Sequence, residues 1–220
     1  MRALVIGASG GIGAGLVTRL TATGAEVVPL SRQKDGLDIT DEASIAQVFS
    51  RLDGSFDMIL TATGALELDG AGPEKSLRGL AAEPMLAQFQ LNAVGPALVL
   101  KHALRLMPRD RPTRFAALSA RVGSIGDNAL GGWYSYRAAK AALNQLLHTA
   151  AIEIARSHSQ AVIVALHPGH VATPLSLKYG GNLPAVSADQ AAANLLDVLN
   201  GLTPAQSGGF FDWAGQPLPW

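Results

Sequence analysis

Two hydrophobic rhythms alternate along this chain. Short unbroken apolar runs read as strands over 2–6, 26–30, 57–61, 114–119, 161–166 and 209–213. Between them, apolar residues recur every three or four positions, predicting helices over 11–23, 41–52, 83–107, 134–157 and 187–200. Continuous rather than alternating strands suit parallel strands covered on both faces. Asp41 and Ser187 stand at helix starts as N-caps, and Gly24 and Gly201 stand where helix ends need a left-handed residue. The order βαβα then predicts an α/β fold: a doubly wound parallel sheet (a Rossmann fold) with right-handed crossovers and helices on both faces. Residues 1–220 read as one domain that also holds the substrate pocket, since no repeat or linker-like stretch divides them. One irregularity stands out. Six residues separate Leu30 from Leu37, too few for a crossover helix. If 37–39 is a third strand beside the second, the covering helix between them is shortened or absent.

Composition narrows the partners. Apolar residues make up 48% and charged ones 15%, which suits a well-buried globular chain. Lys plus Arg and Asp plus Glu stand at 17 each, so no excess of positive charge exists to neutralise phosphates, and neither a nucleic acid nor an anionic membrane is the expected partner. Cysteine is absent, which removes disulfides and thiolate chemistry and points to a cytoplasmic setting. His167 and His170 flank Pro168-Gly169 with no third ligand nearby in sequence, so no metal site is expected.

Two groups of residues carry chemistry. Gly7, Gly11 and Gly13, with Ser9 and Ile12 in the same GASGGIG segment, lie between a strand and a helix. Glycines there let the backbone turn and approach a pyrophosphate at the positive helix end. After the second strand come Ser31 and Arg32, where an acidic residue would favour NAD(H). Arg32 can instead pair with a phosphate, so NADP(H) is preferred and NAD(H) stays possible. Further on, Tyr136 and Lys140 are spaced i,i+4 and share one helix face. A phenol ordinarily titrates near 10; a neighbouring cation would lower that and make it a usable proton donor.

With these segments in order, the chain resembles the short-chain dehydrogenase/reductase family over nearly its whole length. The matching pieces are GASGGIG, LDIT, TATG at 61–64, Asn92 in FQLNAVGP, LSA at Ser119, YRAAK and HPGHVATP. The segment ALSARVGSIGDNALGGWYSYRAAKAALN and the ending FFDWAGQPLPW resemble a small C-factor-like branch. The resemblance implies an oxidoreductase that interconverts a carbonyl and an alcohol. Tyr136 would move the proton, Lys140 would tune it and bind the nicotinamide ribose, and Asn92 would hold a relay water. Asp38 and Ile39 would contact the adenine, Ala62 and Gly64 would line the cofactor, and Pro168, Gly169, Val171 and Thr173 would surround the nicotinamide. The family's substrate-binding serine falls on Ala120 here. Ser119 is favoured in its place, with Ser124 close behind. A second reading stays open, a dinucleotide-binding signalling protein with little catalysis. The family also implies a homodimer or homotetramer paired through helices 83–107 and 134–157. The segment 175–184 reads as a lid or an ordinary surface loop.

Overall fold

The computed structural model describes residues 1–172, 178, 179 and 184–220. Six parallel strands form one sheet in the order β2-β1-β3-β4-β5-β6: β1 Arg2–Ile6, β2 Glu26–Leu30, β3 Met58–Thr61, β4 Thr113–Leu118, β5 Ala161–His167 and β6 Phe210–Asp212. The Rossmann prediction holds. Alternation along each strand sends Leu4 and Ile6 to one face and Ala3 and Val5 to the other, building two cores. Helices α1 (Gly11–Ala22) and α7 (Ala188–Gly201) pack on one face. Helices α3 (Glu42–Ser50), α5 (Gly95–Ala103) and α6 (Tyr134–Ile154) cover the other. Asp41 and Ser187 cap their helices as expected, accepting from the amides of Ala43 and Gln190. Gly24 is left-handed (φ 79°), whereas Gly201 belongs to the last turn of α7.

The irregular connection after β2 takes a definite form. A four-residue helix, α2 (Arg32–Asp35), directly follows the strand, and the nine-residue α3 then completes the crossover to β3. Residues 37–39 form no strand. Leu37 and Ile39 are instead buried in the core, and β2 is the sheet edge. Pro29 on that edge removes one ladder donor, which discourages pairing with another chain.

The helix expected over 83–107 is segmented. Helix α4 (Ala82–Phe89) passes through a π turn at Gln90–Val94 into α5, then a 3-10 turn at Leu104–Leu106. Pro96 explains the break. Its ring crowds the carbonyl four residues back and it has no N–H, while the Gly95 amide reaches the Gln90 carbonyl five residues back. The widened turn carries Asn92, fully buried.

Candidate active site

The carboxyl ends of β1, β3, β4 and β5 open onto one edge of the sheet, where a doubly wound fold binds its ligands. At the end of β1, Gly7 is left-handed (φ 85°), and a Cβ on it would lie 2.7 Å from the Ala62 carbonyl oxygen. A Cβ on Gly13 would come within 2.1 Å of the Gly7 carbonyl oxygen, so helix α1 can start this close to the strand only with glycine. The amides of Gly11, Ile12 and Gly13 find no acceptor among the described residues, and Gly10 gives α1 no side-chain cap. Unspent amides at the positive end of a helix suit a pyrophosphate. Ser9 stands exposed on the same loop.

The end of β2 differs from the sequence reading. Ser31 caps α2, its hydroxyl accepting from the Lys34 amide at 3.2 Å. Asp35 folds back onto it, accepting from the Ser31 amide at 2.7 Å and from its hydroxyl at 3.3 Å. A carboxylate therefore does stand beside this strand end, brought there by one turn of helix. Arg32 is exposed next to it and has no ion-pair partner among the described residues. Asp38 accepts from the side chain of Thr40 at 2.7 Å and from its amide at 2.9 Å, and these bonds hold its carboxyl below the usual range. Ile39 is 4% exposed, with its side chain packed against Gly95.

The catalytic candidates converge from three elements. Lys140 is 2% exposed; its Nζ donates to the Leu118 carbonyl at 2.9 Å and lies 5.7 Å from the centre of the Tyr136 ring. Gly64 is the wedge between Lys140 and Asn92: a Cβ there would meet Asn92 Oδ1 at 2.7 Å and Lys140 Nζ at 3.1 Å. Asn92 Nδ2 donates to the Ala65 carbonyl at 2.9 Å and to Gln88 Oε1 at 2.7 Å, and Oδ1 accepts from the Ala65 amide at 3.3 Å. Asn92 thus pins the loop after β3 against α4 and α6.

The electrostatics correct one expectation. Burial pushes the Tyr136 phenol up to about 12 and pulls Lys140 down to about 7. In the protein alone, desolvation outweighs any lowering of the phenol by the ammonium, because both groups lose water and the charged form of each is disfavoured.

Ser119, Ala120 and Tyr136 line one cavity of about 230 Å³ with Trp133, Pro168 and His170. Ser119 donates its single O–H to Asn144 Oδ1 at 2.7 Å, so in this arrangement the hydroxyl hydrogen is already engaged. Ser124 does not line the cavity; its hydroxyl accepts from the Asp127 amide at 3.1 Å. Gly169 is left-handed (φ 79°) against Trp213, and Val171 is buried and bridged to Val186. Thr173, like most of the 175–184 segment, lies outside the described residues. Lys178 and Tyr179 from that segment both bond Glu67, and Tyr179 sits edge-on to Trp133 at 6.3 Å.

Sequence reasoning missed Glu74 and the backbone that precedes α6. Gly131, Gly132 and Trp133 are all left-handed, and φ of 52° in a tryptophan is strained. Glu74 holds this strain in place: its carbonyl accepts from the Trp133 amide at 2.6 Å, and its carboxylate bonds Ser135. Burial pushes that carboxyl up, but the Ser135 bonds outweigh it and leave Glu74 below its ordinary value. The adjacent GGW could have signalled a special turn. Glu74, sixty residues away, left no local trace.

The model of the short chain dehydrogenase family matches residues 1–182. The chain belongs to that family. This short-chain dehydrogenase is 30% identical over 204 residues to 1-hydroxy-2-glutathionyl-2-methyl-3-butene dehydrogenase of Rhodococcus sp. (strain AD45), covering 91% of this chain and 83% of that one. C-signal of Myxococcus xanthus is 35% identical over 136 residues, covering 62% and 78%, which bears out the C-factor-like branch. Among solved structures, NADPH-bound carbonyl reductase from chicken fatty liver superposes with a TM-score of 0.84 at 24% identity, covering 100% of this chain and 98% of that one. A short-chain dehydrogenase/reductase from Burkholderia multivorans with bound NADP superposes at 0.80 with 25% identity, covering 100% and 99%. This is a family of oxidoreductases. Among the described residues, no helix is long and apolar enough to cross a membrane, and no three His, Asp or Glu cluster as a metal site would.

Proposed function

We propose that this short-chain dehydrogenase interconverts a carbonyl and an alcohol with NADP(H), within one domain of residues 1–220. The observation that supports this most is Lys140, 5.7 Å from the centre of the Tyr136 ring, meeting Asn92 across Gly64, with Tyr136 lining a cavity at the strand ends. The residues fit a dinucleotide. Gly7, Gly11, Ile12 and Gly13 would hold its pyrophosphate, with Ser9 at the rim. Ser31 and Arg32 would meet the adenosine ribose and its phosphate, Asp38 and Ile39 the adenine through their backbone. Ala62 and Gly64 would flank the ribose, and Pro168, Gly169, Val171 and Thr173 the nicotinamide. When bound, the reduced nicotinamide supplies the hydride that a carbonyl carbon accepts.

The chain's own groups manage the proton. Tyr136, held protonated by burial, gives its phenolic hydrogen to the carbonyl oxygen as the alcohol forms. Lys140, near neutrality in its affinity for a proton, is placed to restore it. Asn92 fixes the loop that brings Gly64 against Lys140. NADP(H) is favoured over NAD(H) because Arg32 is exposed at the strand end with no ion-pair partner among the described residues, although Asp35 beside it opposes a phosphate. The pocket walls, Trp133, Tyr179, Val122 and Val171, suit an apolar or aromatic carbonyl compound. Pairing through α4–α5 and α6 would give a homodimer or homotetramer, which sedimentation would reveal.

A second reading, a dinucleotide-binding signalling protein with little turnover, is favoured by Ala120 and by the engaged Ser119 hydroxyl. NADPH consumption across aldehydes, ketones and quinones separates the two. Turnover that disappears in Tyr136→Phe supports the enzyme. No consumption with any of them supports the signalling reading.

A further inference from the structure

Tyr136 also lines a second cavity, of about 290 Å³, between the loop after β3 and the starts of α4 and α6. Leu66 and Tyr136 line both cavities and form the partition between them. The walls of the second are set by the chain itself. One is the turn from Leu68 to Ala71, whose ends exchange backbone hydrogen bonds of 2.8 and 3.2 Å around Asp69 and Gly70, both left-handed (φ 49° and 80°). Gly72 then lets the chain pass Tyr179 closely, since a Cβ there would stand 2.9 Å from the phenolic oxygen. Another wall is α4, through Pro84 and Ala87.

The lining favours one kind of occupant. Gln88 is spent, its amide donating to the Leu66 carbonyl at 3.0 Å and its Oε1 accepting from Asn92 at 2.7 Å, and Ser135 is spent on Glu74. The ionisable side chains are Asp69, Glu74 and Glu83, and among the described residues no Lys, Arg or His joins them. A carboxylate or phosphate entering here would meet like charges and no cation, so the cavity rejects an anion. Leu66, Leu68, Ala71, Pro84 and Ala87 offer carbon to an aliphatic chain instead. An aldehyde has one arm and would leave one cavity unused. A ketone carbon carries two arms that diverge in one plane.

We propose that the substrates of this site are ketones with two unlike arms: an aromatic arm in the first cavity, and an uncharged aliphatic arm in the second, with the carbonyl oxygen at Tyr136 between them. This rests on the carbonyl-reducing reading above. In the reduction the carbonyl carbon gains the hydride of the reduced nicotinamide and the C=O π electrons move to oxygen. Tyr136 supplies the proton, and a secondary alcohol leaves. Because each arm has its own cavity, one face of the ketone meets the hydride and one enantiomer forms.

The test follows NADPH oxidation with 4-nitrobenzaldehyde, 4-nitroacetophenone, 4-nitrobutyrophenone, and the matched pair 4-benzoylbutyrate and its methyl ester. Each buried methylene is worth roughly threefold to fourfold, so kcat/KM should rise about tenfold from the acetophenone to the butyrophenone. The carboxylate should fall at least about tenfold below its ester. Chiral chromatography should find one enantiomer of the butyrophenone's alcohol in large excess. Ala87→Leu fills the second cavity from α4 and Ala71→Leu fills it from the turn. Each should erase the butyrophenone's advantage while NADPH affinity and 4-nitrobenzaldehyde turnover stay within about threefold of wild type. An advantage absent from wild type or surviving in both variants, a racemic alcohol, or a carboxylate equal to its ester would overturn the two-arm assignment alone, given aldehyde turnover that Tyr136→Phe abolishes. Loss of aldehyde turnover in both variants would overturn it too, because the cavity would then serve the reaction rather than an arm. A wild type that reduces none of the five compounds, or turnover surviving in Tyr136→Phe, would overturn the underlying reading instead.

Discussion

Lys140 should make the protein's stability rise with pH in a way that can be isolated. It is 2% exposed, and burial pulls it to about 7. In the unfolded chain a lysine titrates near 10.4. Between these values the unfolded chain holds a proton that the folded chain has released. Unfolding free energy therefore rises with pH, by about 1.4 kcal/mol per pH unit for one full proton. Near pH 7 the folded group is only half released, so from pH 7 to 9 the gain is roughly 2 to 3 kcal/mol. Below pH 7 the slope fades as the folded group also binds its proton. The perturbation is Lys140→Met, which keeps the length and removes the titration. Urea unfolding of both proteins at half-unit steps from pH 6 to 9.5 stays below the range where Tyr136 titrates. The variant's advantage should be largest at the acidic end of the range and shrink by roughly 2 to 3 kcal/mol between pH 7 and pH 9. Parallel curves for the two proteins would refute the argument, because Lys140 would then titrate as in the unfolded chain.

The end of β2 should set cofactor choice. Arg32→Ala should weaken NADPH at least about tenfold more than NADH, while Asp35→Asn should shift the ratio toward NADPH, both read by fluorescence titration. Gly13→Ala places a Cβ against the Gly7 carbonyl and should cost roughly 1–3 kcal/mol in thermal unfolding and abolish dinucleotide binding; normal NADPH affinity would contradict the phosphate cradle. Glu74→Ala should lower stability by roughly 1–3 kcal/mol and reduce kcat more than NADPH affinity, since it frees the turn that aims Tyr136.

What the sequence made legible was whatever depends on neighbours along the chain. The strands at Arg2–Ile6 and Glu26–Leu30 are apolar runs bounded by turns, and their limits match the structure residue for residue. Tyr136 and Lys140 needed only helical spacing. Features set by distant contacts were hidden. Apolar periodicity runs on through 83–107, so the π turn at Asn92 left only the Gly95-Pro96 pair as a trace. Residues 37–39 are apolar enough for a strand, but burial against α5 rather than sheet pairing accounts for them. Asp35 leaves no trace in the sequence, because its bond to the Ser31 amide requires knowing that α2 exists. The place of Ser119 at a strand end is legible, while the fate of its hydroxyl depends on Asn144, a turn beyond Lys140 on the facing helix.

The central claim is that Tyr136 supplies the proton for carbonyl reduction in a site that otherwise binds its dinucleotide independently. Rapid mixing of NADPH-loaded Tyr136→Phe with 4-nitrobenzaldehyde, alongside NADPH titration of the same protein, tests it directly. The account predicts NADPH affinity within about threefold of wild type and a rate of NADPH loss lowered at least about 10²-fold. Tyr136→Phe oxidising NADPH at the wild-type rate would contradict it.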